Sequence, residues 1–198
     1  HEVIHKLGFD EINKIIKYFG DETKSKLISR KIVNLRKTNN INTEQLVKII
    51  DSIKRKNPKK INNATKTFQA LRIFVNKEIT ELVDGVINAT KILKPGGKIL
   101  IVSFHSIEDK IVKYFFRNFS SSRSKPSRYF PENKDLNISL FDKYKNKIFK
   151  PSNKEIIKNP PSRSAKLRYA IRNKNEFIYP NELVNKFRRY LDLERSNV

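Results

Sequence analysis

The chain has 198 residues, with 43 Lys and Arg against 20 Asp and Glu, a formal net charge of +23. A hydrophobic share of 37% excludes wholesale disorder, and no apolar run approaches the roughly 20 residues of a membrane-spanning helix. With no Cys, disulfides, thiolate zinc sites and cysteine nucleophiles are excluded, and His1, His5 and His105 do not make a conventional zinc site.

Phe9, Ile12, Ile15, Ile16 and Phe19 recur at helical spacing, and Gly20 is the expected stop of that helix. Leu27, Ile28, Ile32 and Leu35 predict a second helix. Asn42 or Thr43 caps a third, which carries Leu46, Ile49, Ile50 and Ile53 on one side and ends by Pro58. Phe68, Leu71, Val75, Ile79, Leu82, Val86 and Leu93 then predict one long helix, broken sharply by Lys94-Pro95-Gly96-Gly97.

The pattern changes after the glycine pair. Ile99-Leu100-Ile101-Val102 reads as a short strand buried on both faces of a parallel sheet. It ends at Ser103-Phe104-His105, and a helix follows with Ser106 as its N-cap, Asp109 three residues on, and a buried face of Ile107, Ile111, Val112, Phe115 and Phe116. This succession is α/β grammar, and ligands of such sheets sit at the carboxyl ends of strands. Residues 119–147 read as a long surface loop, with a short strand at Lys147–Lys150. Leu167, Tyr169 and Ile171 alternate with Arg168, Ala170 and Arg172, which predicts a strand with one polar face. Leu183, Val184, Phe187, Tyr190 and Leu191 predict a closing amphipathic helix.

The charge surplus favours polyanions, nucleic acid before an anionic membrane, although a composition rich in Lys, Asn and Ile inflates it. The cations cluster at Lys54-Arg55-Lys56 with Lys59-Lys60; between Arg123 and Lys150, where Tyr129 and Phe130 offer rings for unpaired bases; and at Arg163, Lys166, Arg168 and Arg172. Ser103, His105 and Asp109 have the residue types of a hydrolytic triad. They lack a nucleophile elbow, however, and sit too close in sequence to converge from separate elements. The glycine pair precedes a strand instead of following one, so it is not a phosphate loop. On the residues alone, the chain is a basic α/β domain that binds nucleic acid.

Four stretches together resemble the RsmH (MraW) family, bacterial methyltransferases of a cytosine N4 in 16S ribosomal RNA. They are Ala64-Thr65-Lys66-Thr67-Phe68-Gln69-Ala70-Leu71-Arg72-Ile73, Leu93-Lys94-Pro95-Gly96-Gly97, Val102-Ser103-Phe104-His105-Ser106-Ile107-Glu108-Asp109-Lys110, and Asn159-Pro160-Pro161-Ser162-Arg163-Ser164-Ala165-Lys166-Leu167-Arg168. The similarity runs roughly from the first helix to Ile171. It departs at Asn62-Asn63, where the family usually has His-Pro or Asp-Pro.

The resemblance implies the C-terminal part of a Rossmann-like, S-adenosylmethionine-dependent methyltransferase sheet plus an inserted helical domain. Residues 1–63 would be part of that substrate-recognition insertion, 64–178 the C-terminal part of the methyltransferase domain with its long connecting helix, and 179–198 a C-terminal helix. It implies a cytoplasmic enzyme whose partner is 16S ribosomal RNA or the small ribosomal subunit, with no membrane and no metal. The half of the family's sequence that carries the glycine-rich turn and the cofactor's acidic ligands has no counterpart here. With no Met anywhere and His as residue 1, a piece of a longer protein is expected, with no cofactor-binding residues of its own. By the same resemblance, Ser103, His105 and Ser106 line the target-base side of the cleft. Thr65, Lys66, Gln69 and Arg72 face them from the long helix, and Arg163, Lys166 and Arg168 hold RNA phosphates. Glu108 and Asp109, in a first helical turn, are expected to serve the cap and dipole. The competing reading is a non-catalytic basic RNA-binding or ribosome-assembly module.

Overall fold

The computed structural model describes residues 2–54, 62–121 and 139–195. Its elements begin with α1 (Glu2–Lys6), α2 (Phe9–Gly20), α3 (Ser25–Leu35), α4 (Thr43–Ile53), α5 (Thr65–Asn76) and α6 (Glu78–Ile92). They continue with β1 (Lys98–Ser103), α7 (Ser106–Asn118), α8 (Asn153–Lys158), a 3₁₀ turn (Pro160–Ser164), β2 (Lys166–Ile171) and α9 (Asn181–Arg195). The chain divides into two compact units, residues 1–80 with 188–198, and residues 81–187.

The first unit is helical. The periodic residues of α2, α3 and α4 are its core: Ile12, Ile16, Phe19, Ile28, Ile32, Leu46 and Ile50 are all buried. Asn42 is the cap of α4; its side chain accepts from the Gln45 N–H while Gln45 reaches back to the Asn42 N–H, both at 2.9 Å. Arg36 fastens α1 to the end of α3 by donating to the carbonyls of Ile4 and Leu7. Lys54 donates to the buried Glu22 carboxylate and to the Asn63 carbonyl. Burial pushes the Glu22 carboxyl up, but Lys54 and the Lys24 N–H outweigh it and hold it below its usual value. The rest of that predicted cationic cluster, Arg55, Lys56, Lys59 and Lys60, lies outside the described residues. Asn62 opens α5 with its own turn, its side chain accepting from the Ala64 N–H at 2.9 Å.

Gly20 acts differently from the expected stop. It is the last residue of α2, and the left-handed residue that ends the helix is Asp21, at φ 48°. The glycine is needed because α5 crosses there. A Cβ at position 20 would lie 2.5 Å from the Lys66 carbonyl oxygen.

The single long helix predicted from Thr65 is two helices. Lys77 adopts φ 51° and its N–H turns back to the Ile73 and Phe74 carbonyls, closing α5 without glycine or proline. The start of α6 is capped by Glu194, whose carboxylate accepts from the Ile79 N–H at 3.0 Å, the Thr80 N–H at 2.7 Å and the Thr80 hydroxyl at 2.7 Å. Burial pushes this carboxyl up. No local pattern announces such a cap, because its acceptor is 115 residues from Ile79.

In the second unit, the Lys94–Gly97 turn reverses the chain as predicted. Gly96 sits at φ 80°, and its N–H donates to the Arg172 carbonyl at 2.8 Å. β1 pairs with β2 in an antiparallel register, Ile99 opposite Ala170 and Ile101 opposite Arg168. The expectation of a strand buried on both faces is therefore corrected: Ile99 and Ser103 are buried, while Leu100 and Val102 are 59% and 49% exposed. β2 is corrected as well. Its charged positions, with Ala170, make the inward face, and Leu167, Tyr169 and Ile171 are only half-buried. Arg172 is accepted there by the Leu140 and Asn175 carbonyls and the Asn173 side chain.

Phe115, Phe116 and Phe119 of α7 and its C-cap pack around Phe141, which meets Phe115 and Phe116 edge-on at 5.2 and 5.3 Å. Leu140 and Phe141 are fully buried, so these two residues of the predicted surface loop belong to the core, while residues 142–147 are exposed or half-buried. Arg123, Lys125, Arg128, Tyr129 and Phe130 lie outside the described residues. The predicted strand at Lys147–Lys150 is one bridge, Phe149 to Leu167.

Gly20→Ala is expected to destabilise the helical unit by about 1–3 kcal/mol, the usual cost of forcing volume into a packed contact. Urea denaturation followed by circular dichroism measures it, and an unchanged midpoint would show that the crossing adjusts freely.

Candidate functional site

The chemistry-bearing residues of the second unit gather where β1 ends and α7 begins. His105, not Ser106, is the N-cap. Its backbone is extended, its Nδ1 accepts from the Glu108 N–H at 3.4 Å, and the Glu108 carboxylate accepts from the N–H groups of Phe104 at 2.7 Å and His105 at 3.1 Å. Serine is the commoner cap, which is why the sequence pattern favours position 106. Glu108 thus serves the cap, as expected.

Asp109 does something else. It accepts from Arg168 through Nε at 2.7 Å and Nη2 at 3.3 Å, and from Lys166 Nζ at 3.2 Å. The other side of the guanidinium donates to the Tyr144 hydroxyl at 2.9 Å and the Asn146 side chain at 3.1 Å. Burial pushes Asp109 up, but the Arg168 and Lys166 charges and hydrogen bonds outweigh it and hold it below its usual value. This network ties the first turn of α7 to β2 and fixes the Ser103–Ser106 segment between them.

The expected site residues divide accordingly. Ser103 is buried, and its hydroxyl donates to the Lys166 carbonyl at 3.3 Å. The His105 side chain is 5% exposed. Ser106 is exposed. Arg163 is exposed and donates to the Pro160 carbonyl, and Lys166 is half-buried beside Asp109. Arg168, expected on a phosphate, is 2% exposed and held by Asp109, Tyr144 and Asn146, so the fold takes the cation for itself.

The residues expected from the long helix belong to the other unit. Thr65, Gln69 and Arg72 fall four and three residues apart, on one face of α5. Arg72 is paired with Glu78, at 2.7 Å from Nε and 3.1 Å from Nη2, and Lys66 donates to the Asp21 carbonyl at 2.8 Å.

Phe104 is the residue that the sequence reading passed over. It follows the last strand residue and is 54% exposed, an aromatic face at the strand's carboxyl end. Its place between Ser103 and His105 was the signal available.

The description MraW methylase family matches residues 1–173. The chain belongs to the MraW methylase family. Among curated relatives of this family member, a ribosomal RNA small subunit methyltransferase H from Ehrlichia canis is 42% identical over 170 residues, covering 83% of this chain and 53% of the relative. Proteins of the same name from Bartonella henselae and Ehrlichia ruminantium are 39% and 45% identical, covering 90% and 80% of this chain and 51% of each relative. The chain thus spans about half the length of the curated relatives it matches. Where β1 ends, the described residues do not fit a nucleoside methyl donor. The turn after β1 has no glycine, and the nearby carboxylates Glu108 and Asp109 are already engaged.

Asp109→Asn is expected to destabilise the chain by about 3–5 kcal/mol at neutral pH, because it strands a buried guanidinium. Since the folded carboxyl titrates below its ordinary value, its stabilisation is present above about pH 4 and is lost as pH falls through the depressed value. Denaturation midpoints of wild type and variant should converge in that acidic window; a constant gap down to low pH would contradict the pairing.

Proposed function

We propose that this chain supplies the RNA-facing part of an S-adenosylmethionine-dependent methyltransferase that modifies the N4 amine of a cytosine in the decoding region of 16S ribosomal RNA. Family membership and the name shared by the relatives support the substrate class. The observation that carries the reading is the exposed pair Phe104 and Ser106, on a segment held by Glu108 at the carboxyl end of β1.

A cytosine amine is conjugated with its ring and hidden by stacking. The base must be unstacked and held with its amine in a defined orientation. Phe104 offers a face to stack the base, and the Ser106 hydroxyl can accept a hydrogen bond from the amine. Ser103 and His105, both buried, act as positioning residues for that segment. Arg163 and Lys166 supply phosphate contacts from the adjoining turn and strand. Thr65, Gln69 and Arg72 present a polar face of α5 to the RNA.

The finer fold is read the same way. β1 has no strand partner on its second edge among the described residues, and its Leu100 and Val102 are exposed. Both features suit the C-terminal strands of a larger Rossmann-like sheet, with residues 1–63 as part of an inserted helical domain and 179–198 as a closing helix. Since the described residues do not fit the methyl donor, we assign no cofactor contact to this chain.

The test joins this chain to the N-terminal half of the Ehrlichia canis relative and supplies unmethylated small ribosomal subunits with labelled S-adenosylmethionine. The chimera should produce N4-methylcytidine, and this chain alone should show neither turnover nor calorimetric binding of the donor. Phe104→Ala should lower kcat/KM by about 10- to 100-fold, the scale of one lost base stack. A chimera that binds subunits without methylating cytosine would favour the non-catalytic RNA-binding module.

A further inference from the structure

The residues around the α5–α6 junction favour a helix that the structure does not contain. Between Thr65 and Asp84 there is no Gly or Pro, and Lys77 and Glu78, where the chain turns, are good helix formers. Apolar residues keep helical spacing across the junction, at Leu71, Val75, Ile79 and Leu82. Yet Lys77 stands at φ 51°, a left-handed conformation that crowds any residue with a Cβ. Such a residue persists only where its surroundings over-determine it. No residue from Val75 to Glu78 is buried, and Val75, on the apolar stripe, is 63% exposed. Packing of the junction itself does not hold the turn.

Two polar contacts depend on the turn instead. In an unbroken helix the N–H groups of Ile79 and Thr80 would donate to the Val75 and Asn76 carbonyls. Here both donate to Glu194 of α9, a residue only 2% exposed, whose carboxylate also accepts from the Thr80 hydroxyl. Burying a carboxylate is costly unless donors meet it, and the turn at Lys77 is what frees these two N–H groups. The second contact is Arg72 with Glu78, at 2.7 Å from Nε and 3.1 Å from Nη2. On a straight helix, residues six apart are about 9 Å apart along the axis and about a third of a turn round, too far for a two-point contact. The pair therefore belongs to the broken helix. Glu194 reaches the junction because α9 is fastened beside it. Tyr190 packs on Phe19 with ring centres 6.0 Å apart, and Arg189 lies 4.4 Å from the centre of the Tyr18 ring. All of these residues belong to one compact unit.

We infer that the α5–α6 junction is a two-state element and that α9 is its lock: with the Glu194 carboxylate docked the helix breaks at Lys77, and without it residues 65–92 run on as one helix. The differential contact that selects the broken state is the one made by Glu194. The lock also decides the partner of Arg72, which Glu78 holds in the broken state and releases in the straight one. The Arg72–Glu78 pair is a consequence of the break and not its cause. This device goes beyond the reading of the preceding subsection and does not rest on it, because no ligand takes part.

Nuclear magnetic resonance of the full 198-residue chain tests the lock. In wild type the Lys77 amide proton should lie close to its own Hα, the signature of a positive φ, and the Ile79 and Thr80 amides should exchange slowly. In Glu194→Ala that Lys77 signature should be lost, and the Cα shifts should turn helical without interruption over residues 72–84. The Ile79 and Thr80 amides should stay protected, now by the Val75 and Asn76 carbonyls. A Lys77 that remains left-handed would make the break intrinsic and overturn the inference. Unravelling of the junction, with both amides exchanging at least about 10-fold faster, would overturn it too. Arg72→Gln, with Glu194 intact, should leave Lys77 left-handed; a straight helix there would move the lock to the Arg72–Glu78 pair. Glu194→Gln keeps the shape and one acceptor oxygen and carries the test should Glu194→Ala unfold. It should show a helical Lys77 population that wild type lacks, and a folded Gln variant without one would refute the lock. Far-UV circular dichroism establishes that each variant is folded.

Discussion

A guanidinium that is 2% exposed needs an acceptor for nearly every N–H, and in this chain Arg168 finds them in Asp109, Tyr144 and Asn146. The three lie on α7 and on the segment between α7 and α8, so one side chain of β2 draws together the parts that surround the strand pair. Removing either partner would leave an uncompensated charge in a poorly solvated place, which is costlier than never having buried it. Because Asp109 sits in the first turn of α7, the same contact sets where the helix starts. With Glu108 closing the cap onto Phe104 and His105, it also sets how the Phe104–Ser106 segment is displayed. The candidate site is therefore an end product of a buried ion pair, and its exposed members are the residues which that pair leaves over.

The helical unit uses the same device with different partners. Glu22 with Lys54, Arg36 with two carbonyls, and Glu194 with the first N–H groups of α6 are each an ionised or ionisable side chain closing the end of a helix or a turn. Each binds segments far apart in sequence.

Much of the fold was legible in the sequence because it rests on local rules. Apolar residues at helical spacing located α2, α3, α4 and α7; Asn42 was one of the two candidate caps of α4; and the glycine pair announced the turn before β1. The four motifs also pointed to the family. The errors share one origin. Gly20 was read as a stop when its need was set by the approach of the Lys66 carbonyl. Alternation in β2 was read with the charges outward, although Arg168 and Arg172 face inward. Helical spacing ran unbroken from Phe68 to Leu93, yet Lys77 ends one helix and a carboxylate from α9 begins the next.

The sequence by itself determined where α2, α3, α4, α7 and α9 lie, where the sharp turn lies, that the chain is strongly basic and which family its motifs resemble. These follow from periodicity, caps and composition, which act over a few residues. Only the tertiary structure decided the fate of each charge: Arg168 inside, Lys66 on a carbonyl, Arg72 on Glu78, and Lys26, Arg30 and Lys37 left at the surface. A charged side chain is compatible with solvent and with burial alike until its partner is in place, and those partners lie up to 115 residues away.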